Sequence, residues 1–298
     1  MLSIRRSQPA WNSECEVVLC GDDPDHLTAV AEAAFAEIHR WERKLSIANP
    51  GTDFNRINRQ ASREEVSIDQ ELVDLLQYCL TGWKVTGGWF DVTARKLTDA
   101  LLTESVALIA PAREPFLVNP TRRTVRFFHP DTSLDLSGIG RGYALDRTAE
   151  LIRRYGISNA QVQIGPGTHI SMGKNDLGQP WELVMPDPFH EKPRQELTTV
   201  TPRDQGAAWT ATFRPSPESS QSPNSTADSG CFEPTACLVL APSAADAMVW
   251  STANLAMGET RWKKYSDQWK DRGLFVGWVN QVANQRRLQW LTSPPVPG

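Results

Sequence analysis

The sequence predicts an α+β fold in which mixed sheets pack against helices, and three observations lead to this prediction. Long stretches carry apolar residues at helical spacing. Apolar runs of strand length lie between them, but the two kinds of segment do not alternate as regular βαβ units. The chain has 298 residues, enough to bury a sizeable core. This length suits one large domain or two small ones, and we expect residues 1–298 to form a single domain.

Periodicity and turn residues predict the elements of the first half of the chain in order. Ser67 and Asp69 are alternative caps for the third helix. The glycines of residues 86–91 end that helix. The predicted elements are a strand at 14–20, helices at 25–45, at 53–58 and from the cap to about Val85, and strands at 116–118, 123–128 and 133–136.

The second half is predicted in the same way. Residues 214–230 (RPSPESSQSPNSTADSG) are rich in serine and proline, which predicts a surface loop or short linker. The predicted elements are a helix at 143–155, strands at 160–164, 181–185 and 236–240, a helix within 241–258, a helical stretch at 260–270, and strands at 274–279 and 288–291.

Charge and composition exclude several classes of function. The formal net charge of −4 gives no indication of binding to nucleic acid or to an anionic membrane surface.

The five cysteines lack metal-site spacing, and a bridge between Cys231 and Cys237 is left open. The first residues contain two arginines but no following apolar run, signal peptide or lipobox, so we expect a cytoplasmic protein. The oligomeric state is not indicated.

Two glycine-rich segments stand out as candidate sites. In residues 135–146 (DLSGIGRGYALD), glycines connect a predicted strand to a helix. Free N–H groups at a helix N-terminus can hold an anion, and Arg141 could pair with a phosphate. Residues 86–91 (TGGWFD) suit either a helix C-cap or an aromatic floor beside a carboxylate. Taken alone, each segment is equally consistent with a structural turn.

Together, and in this order, these segments resemble the FAD:protein FMN transferase family, the ApbE-type flavin transferases. The resemblance covers most of residues 12–260 and rests on motif order and spacing. The matching segments are LSIANPGTDFNRIN (45–58), TGGWFDVT (86–93), LDLSGIGRGYALD (134–146), VQIGPG (162–167), WELVMPDP (181–188) and STANLAMG (251–258).

The resemblance implies an ApbE-like fold and a specific reaction. Members bind FAD, use a divalent metal, usually Mg²⁺, on its pyrophosphate, and transfer FMN to a threonine or serine hydroxyl of a partner flavoprotein with release of AMP. The resemblance assigns Arg141 and Thr252 to catalysis. The cofactor-binding residues that it implies are Trp11, Thr86, Gly87, Gly88, Phe90, Asp91, Asp135, Gly138, Gly140, Gly142, Tyr143, Asp146, Gly165 and Gly167.

The metal-binding helix departs from the family pattern A-D-A-l-s-T-A. Aligning Thr252 places Met248 where the acidic ligand belongs, and a thioether is a poor ligand for Mg²⁺. Asp246 lies roughly 240° around the helix from Thr252. It is better explained by a capping-box-like helix start, Ser243-Ala-Ala-Asp246. The remaining metal ligands would be the Thr252 hydroxyl and the carbonyls of Gly138 and Ser251. These changes argue against a bound Mg²⁺.

Other family residues are also replaced. The segment H-I-x-D-P, whose histidine is thought to help activate the acceptor hydroxyl, has no counterpart, and no histidine follows His190. Trp11 stands where the family has a methionine against the flavin, and Arg141 replaces a lysine. The sequence therefore favours a flavin transferase with reduced or no activity. The alternative is a non-catalytic relative, in effect a pseudoenzyme, that binds flavin, nucleotide or a protein partner on the same scaffold.

Overall fold

A computed structural model describes residues 1–93, 114–187, 196–211, 236–257, 265–282 and 285–292. The predicted loop at 214–230, Cys231, Gly258 and the start of the 260–270 stretch lie outside these residues. The described helices are α1 (Pro24–Leu45), α2 (Asp53–Gln60), α3 (Gln70–Val85), α4 (Gly140–Arg154), α5 (Ala244–Met257) and α6 (Ser266–Asp271).

The described strands form three antiparallel sheets. The largest has eight strands in the order β1-β2-β6-β7-β10-β11-β12-β13, and the others have the orders β3-β5-β4 and β8-β9. The strands are β1 (Leu2–Ala10), β2 (Ser13–Gly21), β3 (Val66–Ser67), β4 (Phe116–Asn119), β5 (Thr124–Phe127), β6 (Asn159–Ile164), β7 (Thr168–Met172), β8 (Leu183–Pro186), β9 (Glu196–Val200), β10 (Gly206–Ala211), β11 (Ala236–Ala241), β12 (Phe275–Val282) and β13 (Gln285–Trp290). This arrangement confirms the predicted α+β class.

The large sheet separates two layers of packing. On β6, Val162 and Ile164 join the main core with the helices, and this core draws on residues from Ala10 to Trp278. Because side chains alternate along a strand, Gln163 points to the opposite face. A smaller cluster there packs β8 and β9 against β10 and β11.

The long helix α1 forms where its spacing predicts. The Asp23 carboxylate accepts hydrogen bonds from the N–H groups of Asp25 and His26, which caps the helix. Its buried face, which includes Leu27, Ile38 and Trp41, contributes to the main core. Helix α3 is capped by Asp69, so of the two predicted caps Asp69 is the one used.

Helix α5 begins in close contact with α4 and β10. A methyl group on Gly142 would lie 2.5 Å from the carbonyl oxygen of Ala244, and one on Gly206 would overlap the backbone of the same residue. Ser243 Oγ accepts the N–H of Asp246 at 3.0 Å, which is the predicted cap of this helix. The start of α5 is therefore fixed between a helix and a strand.

Several predicted boundaries were wrong. Residues 133–136 form no strand; the N–H of Asp135 instead donates to the carbonyl of Val92. Helix α4 begins at Gly140, before the predicted Tyr143, because Gly140 and Arg141 already form its first turn. Strand β1 was not predicted because this edge strand is mostly exposed and lacks an apolar pattern. In the described parts of the chain, no helix is long and apolar enough to cross a membrane.

Candidate functional site

Three of the predicted motif segments meet at Gly138. A methyl group at this position would lie 3.5 Å from Thr252 Oγ1 and 3.8 Å from Phe90 Cε2. Gly138 thus brings the glycine loop before α4 into contact with the aromatic ring of the 86–93 segment and with a hydroxyl of α5. These segments lie far apart in sequence, and the fold places them side by side.

The 86–93 segment is a tight turn that presents Phe90. Thr86 is fully buried, and its hydroxyl donates to the carbonyl of Gly82 and accepts from the N–H of Phe90. Gly87 and Gly88 have φ values of +63° and +86°, which other residues rarely adopt. The Thr86 hydroxyl is thus engaged within the turn.

Asp91, at the end of this turn, is held in place by Thr93. Its carboxylate accepts hydrogen bonds from the N–H of Thr93 at 2.7 Å and from its hydroxyl at 2.6 Å. Burial nonetheless raises the pKa of the Asp91 carboxyl, with these two hydrogen bonds acting in the opposite direction. Asp135 similarly accepts the N–H of Ser137 at 2.9 Å.

The first turn of α4 carries a cation suited to bind an anion. Arg141 lies in this turn, which has no acidic residue; the N–H of Gly140 donates to the carbonyl of Leu136 and that of Gly142 to the Met248 sulphur. The described residues supply no hydrogen bond or ion pair to the guanidinium, and burial lowers the pKa of Arg141. Its Nη1 atom would lie 3.7 Å from a methyl group on Gly165, which places the cation beside the turn between β6 and β7. A partly buried cation without a counterion favours binding of an anion.

Trp11 lies over Gly140 from a strained turn. Trp11 and Asn12 connect β1 to β2 with φ values of 56° and 55°, the left-handed conformation of a two-residue hairpin turn. The N–H of Trp11 donates to Oε1 of Glu42, and Cη2 of the indole would lie 3.1 Å from a methyl group on Gly140. The indole Nε1 is buried, and none of the described residues accepts a hydrogen bond from it. Such strain is typical of functional sites.

A cavity of about 570 Å³ opens at the same end of the large sheet. His169, on β7, is buried at its wall, and one ring nitrogen (Nε2) lies 3.1 Å from the carbonyl oxygen of Pro166. Burial lowers the pKa of His169 to about 4, so the imidazole is neutral near pH 7. The lining residues are Ser13, Glu14, Gln163, Gly165, Pro166, His169, Val184 and Glu196.

Four of the residues implied as cofactor ligands have their described contacts within the protein. The Asp146 carboxylate accepts the N–H groups of Ala244 and Ala245 at 2.8 and 2.9 Å, and burial raises its pKa to about 6. The ring of Tyr143 packs edge-on against other aromatic rings, and Gly142 allows the close approach of α5. These residues join α4 to the rest of the core. Gly167 contributes its carbonyl to a hydrogen bond with the N–H of Trp209.

Several side chains around the predicted metal site also have protein partners. The Met248 sulphur accepts the N–H of Gly142 at 3.0 Å. Ser251 is fully buried, and its hydroxyl is hydrogen-bonded to Thr210 Oγ1 at 2.7 Å and to the Met248 carbonyl at 3.2 Å. Asp246 accepts the hydroxyl of Tyr78 at 2.6 Å. Thr252 remains beside Gly138. Over the part of the chain that the structure describes, no group of three or more His, Cys, Asp or Glu residues could hold a metal ion.

Sequence reasoning did not single out Glu42, Ser13 or Gln163 as site residues. Glu42 reaches Trp11 because both α1 and the first hairpin pack on the same end of the sheet, across 31 residues of sequence. Gln163 lies on β6, two residues before Gly165, and its side chain lines the cavity. A local signal existed for Gln163, which lies within the matching segment VQIGPG (162–167), and for His169, which follows it.

Comparisons with known proteins agree on one family. The family model described as ApbE family matches residues 11–275. An FAD:protein FMN transferase of Klebsiella pneumoniae is 27% identical over 188 residues, covering 58% of this chain and 53% of that protein. One of Haemophilus influenzae is 24% identical over 213 residues, covering 64% and 61%. The matches thus span little more than half the length of these relatives.

Solved structures show the same fold. The flavin transferase ApbE from Vibrio cholerae superposes with a TM-score of 0.73 at 17% sequence identity, covering 97% of both chains. The ApbE protein of Thermotoga maritima gives a TM-score of 0.72 at 19% identity, covering 93% of this chain and 94% of that one. At these identities the likeness concerns the fold.

Proposed function

Because the chain belongs to the ApbE family, whose model matches residues 11–275, we propose that it is an FAD:protein FMN transferase. It would transfer FMN from FAD to a threonine or serine hydroxyl of a partner flavoprotein and release AMP. The relatives and the common fold support this proposal, but function must be argued from the site itself.

The observation that carries the proposal is the convergence at Gly138. Phe90 and Thr252 both lie close to this glycine, and α4 begins two residues later. Because Gly138 has no side chain, a phosphate can approach the loop before α4 closely, whereas Gly140 is covered by the Trp11 indole. These are the features that a dinucleotide diphosphate needs.

Three side chains have separate roles in the proposed binding of FAD. Arg141 supplies the positive charge that phosphoryl transfer requires, through a guanidinium with no competing counterion among the described residues. Trp11 offers an indole face for stacking on the isoalloxazine and a buried N–H with no described protein acceptor. Thr252 places a hydroxyl next to the glycine loop.

The test is a transfer assay with purified components. The chain is mixed with FAD and a flavoprotein that carries an acceptor threonine, with and without divalent cations, and denatured samples are examined for covalent flavin fluorescence. A fluorescent acceptor band is expected, and replacing the acceptor threonine with valine should abolish it. Arg141→Met should weaken the band, and Arg141→Lys should restore part of it. The absence of a band under every metal condition would refute the proposal.

One observation favours the second candidate, a flavin-binding protein without transferase activity. Met248 replaces the carboxylate that the resemblance implies at the metal, and a missing charged ligand lowers catalysis more readily than it prevents binding. Calorimetry separates the two: FAD binding without a fluorescent acceptor band identifies the second candidate.

A further inference from the structure

The metal site that the family resemblance implies does not fit a divalent cation in this chain. Met248 occupies the position of the acidic ligand, is only 4% exposed, and uses its sulphur to accept the N–H of Gly142 at 3.0 Å. Mg²⁺ requires oxygen ligands and is usually held by one or two carboxylates together with substrate phosphates. A thioether in a hydrogen bond to the backbone supplies neither charge nor oxygen.

The neighbouring carboxylates do not replace the missing one. Asp246 accepts the hydroxyl of Tyr78 from the first turn of α5. Asp146 accepts two backbone N–H groups at the start of the same helix. Both carboxylates therefore stabilise the N-terminus of α5, and Thr252 lies on the turns that follow.

The neutral oxygen that lies next to Thr252 in sequence is engaged as well. The Ser251 hydroxyl is fully buried and is hydrogen-bonded to both Thr210 and the Met248 carbonyl. This leaves the Thr252 hydroxyl and backbone carbonyls, which carry no formal charge to offset that of a divalent ion.

The positive charge near the glycine loop comes instead from Arg141. Its guanidinium has no ion pair or hydrogen bond among the described residues, and burial lowers its pKa. It extends from the first turn of α4 to the vicinity of Gly165, a glycine that also lies beside the hydroxyl of Ser13. Withdrawing an unpaired cation from water is unfavourable, and a bound phosphate would offset that cost through charge-assisted hydrogen bonds.

We propose that this chain binds FAD without a divalent cation, and that the guanidinium of Arg141, on the first turn of α4, neutralises the diphosphate. The inference rests on the proposed function for the identity of the ligand. It assigns to the protein's own guanidinium the charge that a metal ion supplies in the family pattern. The substitution of arginine for lysine at this position suits the role, since its planar fork can pair with two phosphate oxygens.

The first measurement requires no variant. FAD is titrated into the full chain by calorimetry in buffer with EDTA and in buffer with excess Mg²⁺. The two dissociation constants are expected to agree within about twofold, because Met248 leaves the family's metal position without the carboxylate that would couple the ion to the nucleotide. Binding that appears only with Mg²⁺ would overturn the inference and leave the proposed transferase function standing.

Variants of Arg141 test the source of the charge. Arg141→Met retains much of the side-chain length without the charge and should weaken FAD binding by about tenfold or more in both buffers. Arg141→Lys should recover part of the affinity because it restores the charge without the fork. Unchanged affinity in Arg141→Met would contradict the assignment.

A gain of metal dependence provides the converse test. Met248→Asp places a carboxylate at the family position, and Mg²⁺ should then tighten FAD binding by about tenfold. Met248→Leu is the matched control and should bind FAD equally with EDTA and with Mg²⁺. A folded Met248→Asp protein that shows no response to Mg²⁺ would contradict the role given to this position.

The outcomes also separate this inference from the proposed function. Metal-independent FAD binding without transfer to an acceptor would support the inference and refute the transferase proposal. The absence of FAD binding in either buffer would overturn both.

Discussion

The hydroxyl of Tyr78 donates a hydrogen bond of 2.6 Å to Oδ1 of Asp246 and so ties α3 to the first turn of α5. Asp246 is therefore occupied at the start of its helix. Tyr78→Phe removes the hydroxyl donor and leaves the Asp246 carboxylate without this hydrogen bond. The free energy of unfolding should fall by about 1–2 kcal/mol. Urea denaturation measures the change. Tyr155→Phe, at an exposed tyrosine, is the control and should have almost no effect.

Gly142→Ala should strongly destabilise the protein. Its new methyl group would lie 2.5 Å from the carbonyl oxygen of Ala244, so α4 and α5 would have to move apart. We expect a loss of about 2–3 kcal/mol in unfolding free energy, or failure to fold. Gly51→Ala is the control, since the atom nearest to its methyl group is a side-chain oxygen of Asn49 at 3.4 Å. Equal stability of the two variants would rule out this packing argument.

Gly138→Ala should separate binding from stability. The methyl group would meet Thr252 at ordinary contact distances of 3.5–3.6 Å, so the ligand-free fold should keep its melting temperature. The same methyl group would fill the space beside the glycine loop that the proposed diphosphate needs, and FAD affinity should fall by about tenfold or more. Thermal unfolding and calorimetry on one preparation test both halves. Unaltered FAD affinity would show that the diphosphate does not bind beside Gly138.

His169 should make the protein less stable in mild acid. Burial lowers the pKa of His169 to about 4 in the folded protein. Below about pH 6.5 the imidazole is therefore protonated in the unfolded chain but stays neutral in the folded one. The resulting stability is present above pH 6.5 and is lost as the pH falls towards 4. Between pH 7 and pH 5, protonation of His169 in the unfolded chain should lower the free energy of unfolding by about 2 kcal/mol.

The measurement is the slope of unfolding free energy against pH, since replacing a buried ring also shifts stability at every pH. His169→Gln should remove the contribution of His169 to that slope. His129→Gln, at an exposed histidine, should retain it. Identical slopes for His169→Gln and the unmodified chain would exclude a buried neutral imidazole at this position.

Trp11→Leu should weaken flavin binding. Leucine keeps apolar contact with Gly140 but lacks the aromatic face and the buried indole N–H. The expected loss of FAD affinity is about tenfold, and part of the FAD-induced quenching of tryptophan fluorescence should disappear with it. Trp290→Leu, on the strand at the opposite edge of the large sheet, is the matched control. If both variants bind FAD alike, Trp11 is not part of the flavin site.

The sequence predicts the long helices well because their signals are local. The period of apolar residues places α1 within one residue of its observed start, and Ser243 caps α5 as expected. Strand β1 carries no such signal, because both of its faces are mostly exposed and its pairing with β2 alone defines it. Residues 133–136 resemble a strand in composition but have no strand partner in the described chain.

The candidate site shows the same limit. Motif order identifies the glycine loop and Thr252, but their contact at Gly138 depends on tertiary packing. The partner of Asp146 is the start of α5, about one hundred residues later, and no spacing rule relates the two. The interaction of Glu42 with the Trp11 turn is likewise visible only in three dimensions.

The order of strands in the large sheet also constrains how the chain is made. Strand β2 pairs with β6, so Cys15 lies opposite Ile164, with helices α1 to α4 and strands β3 to β5 between them in sequence. At ordinary rates of synthesis the ribosome needs roughly 10–30 seconds to deliver that partner strand. During this interval the first hairpin has an unpaired, largely apolar edge on β2, which can pair with other nascent chains. Biogenesis of this protein should therefore be most vulnerable to aggregation before β6 leaves the ribosome.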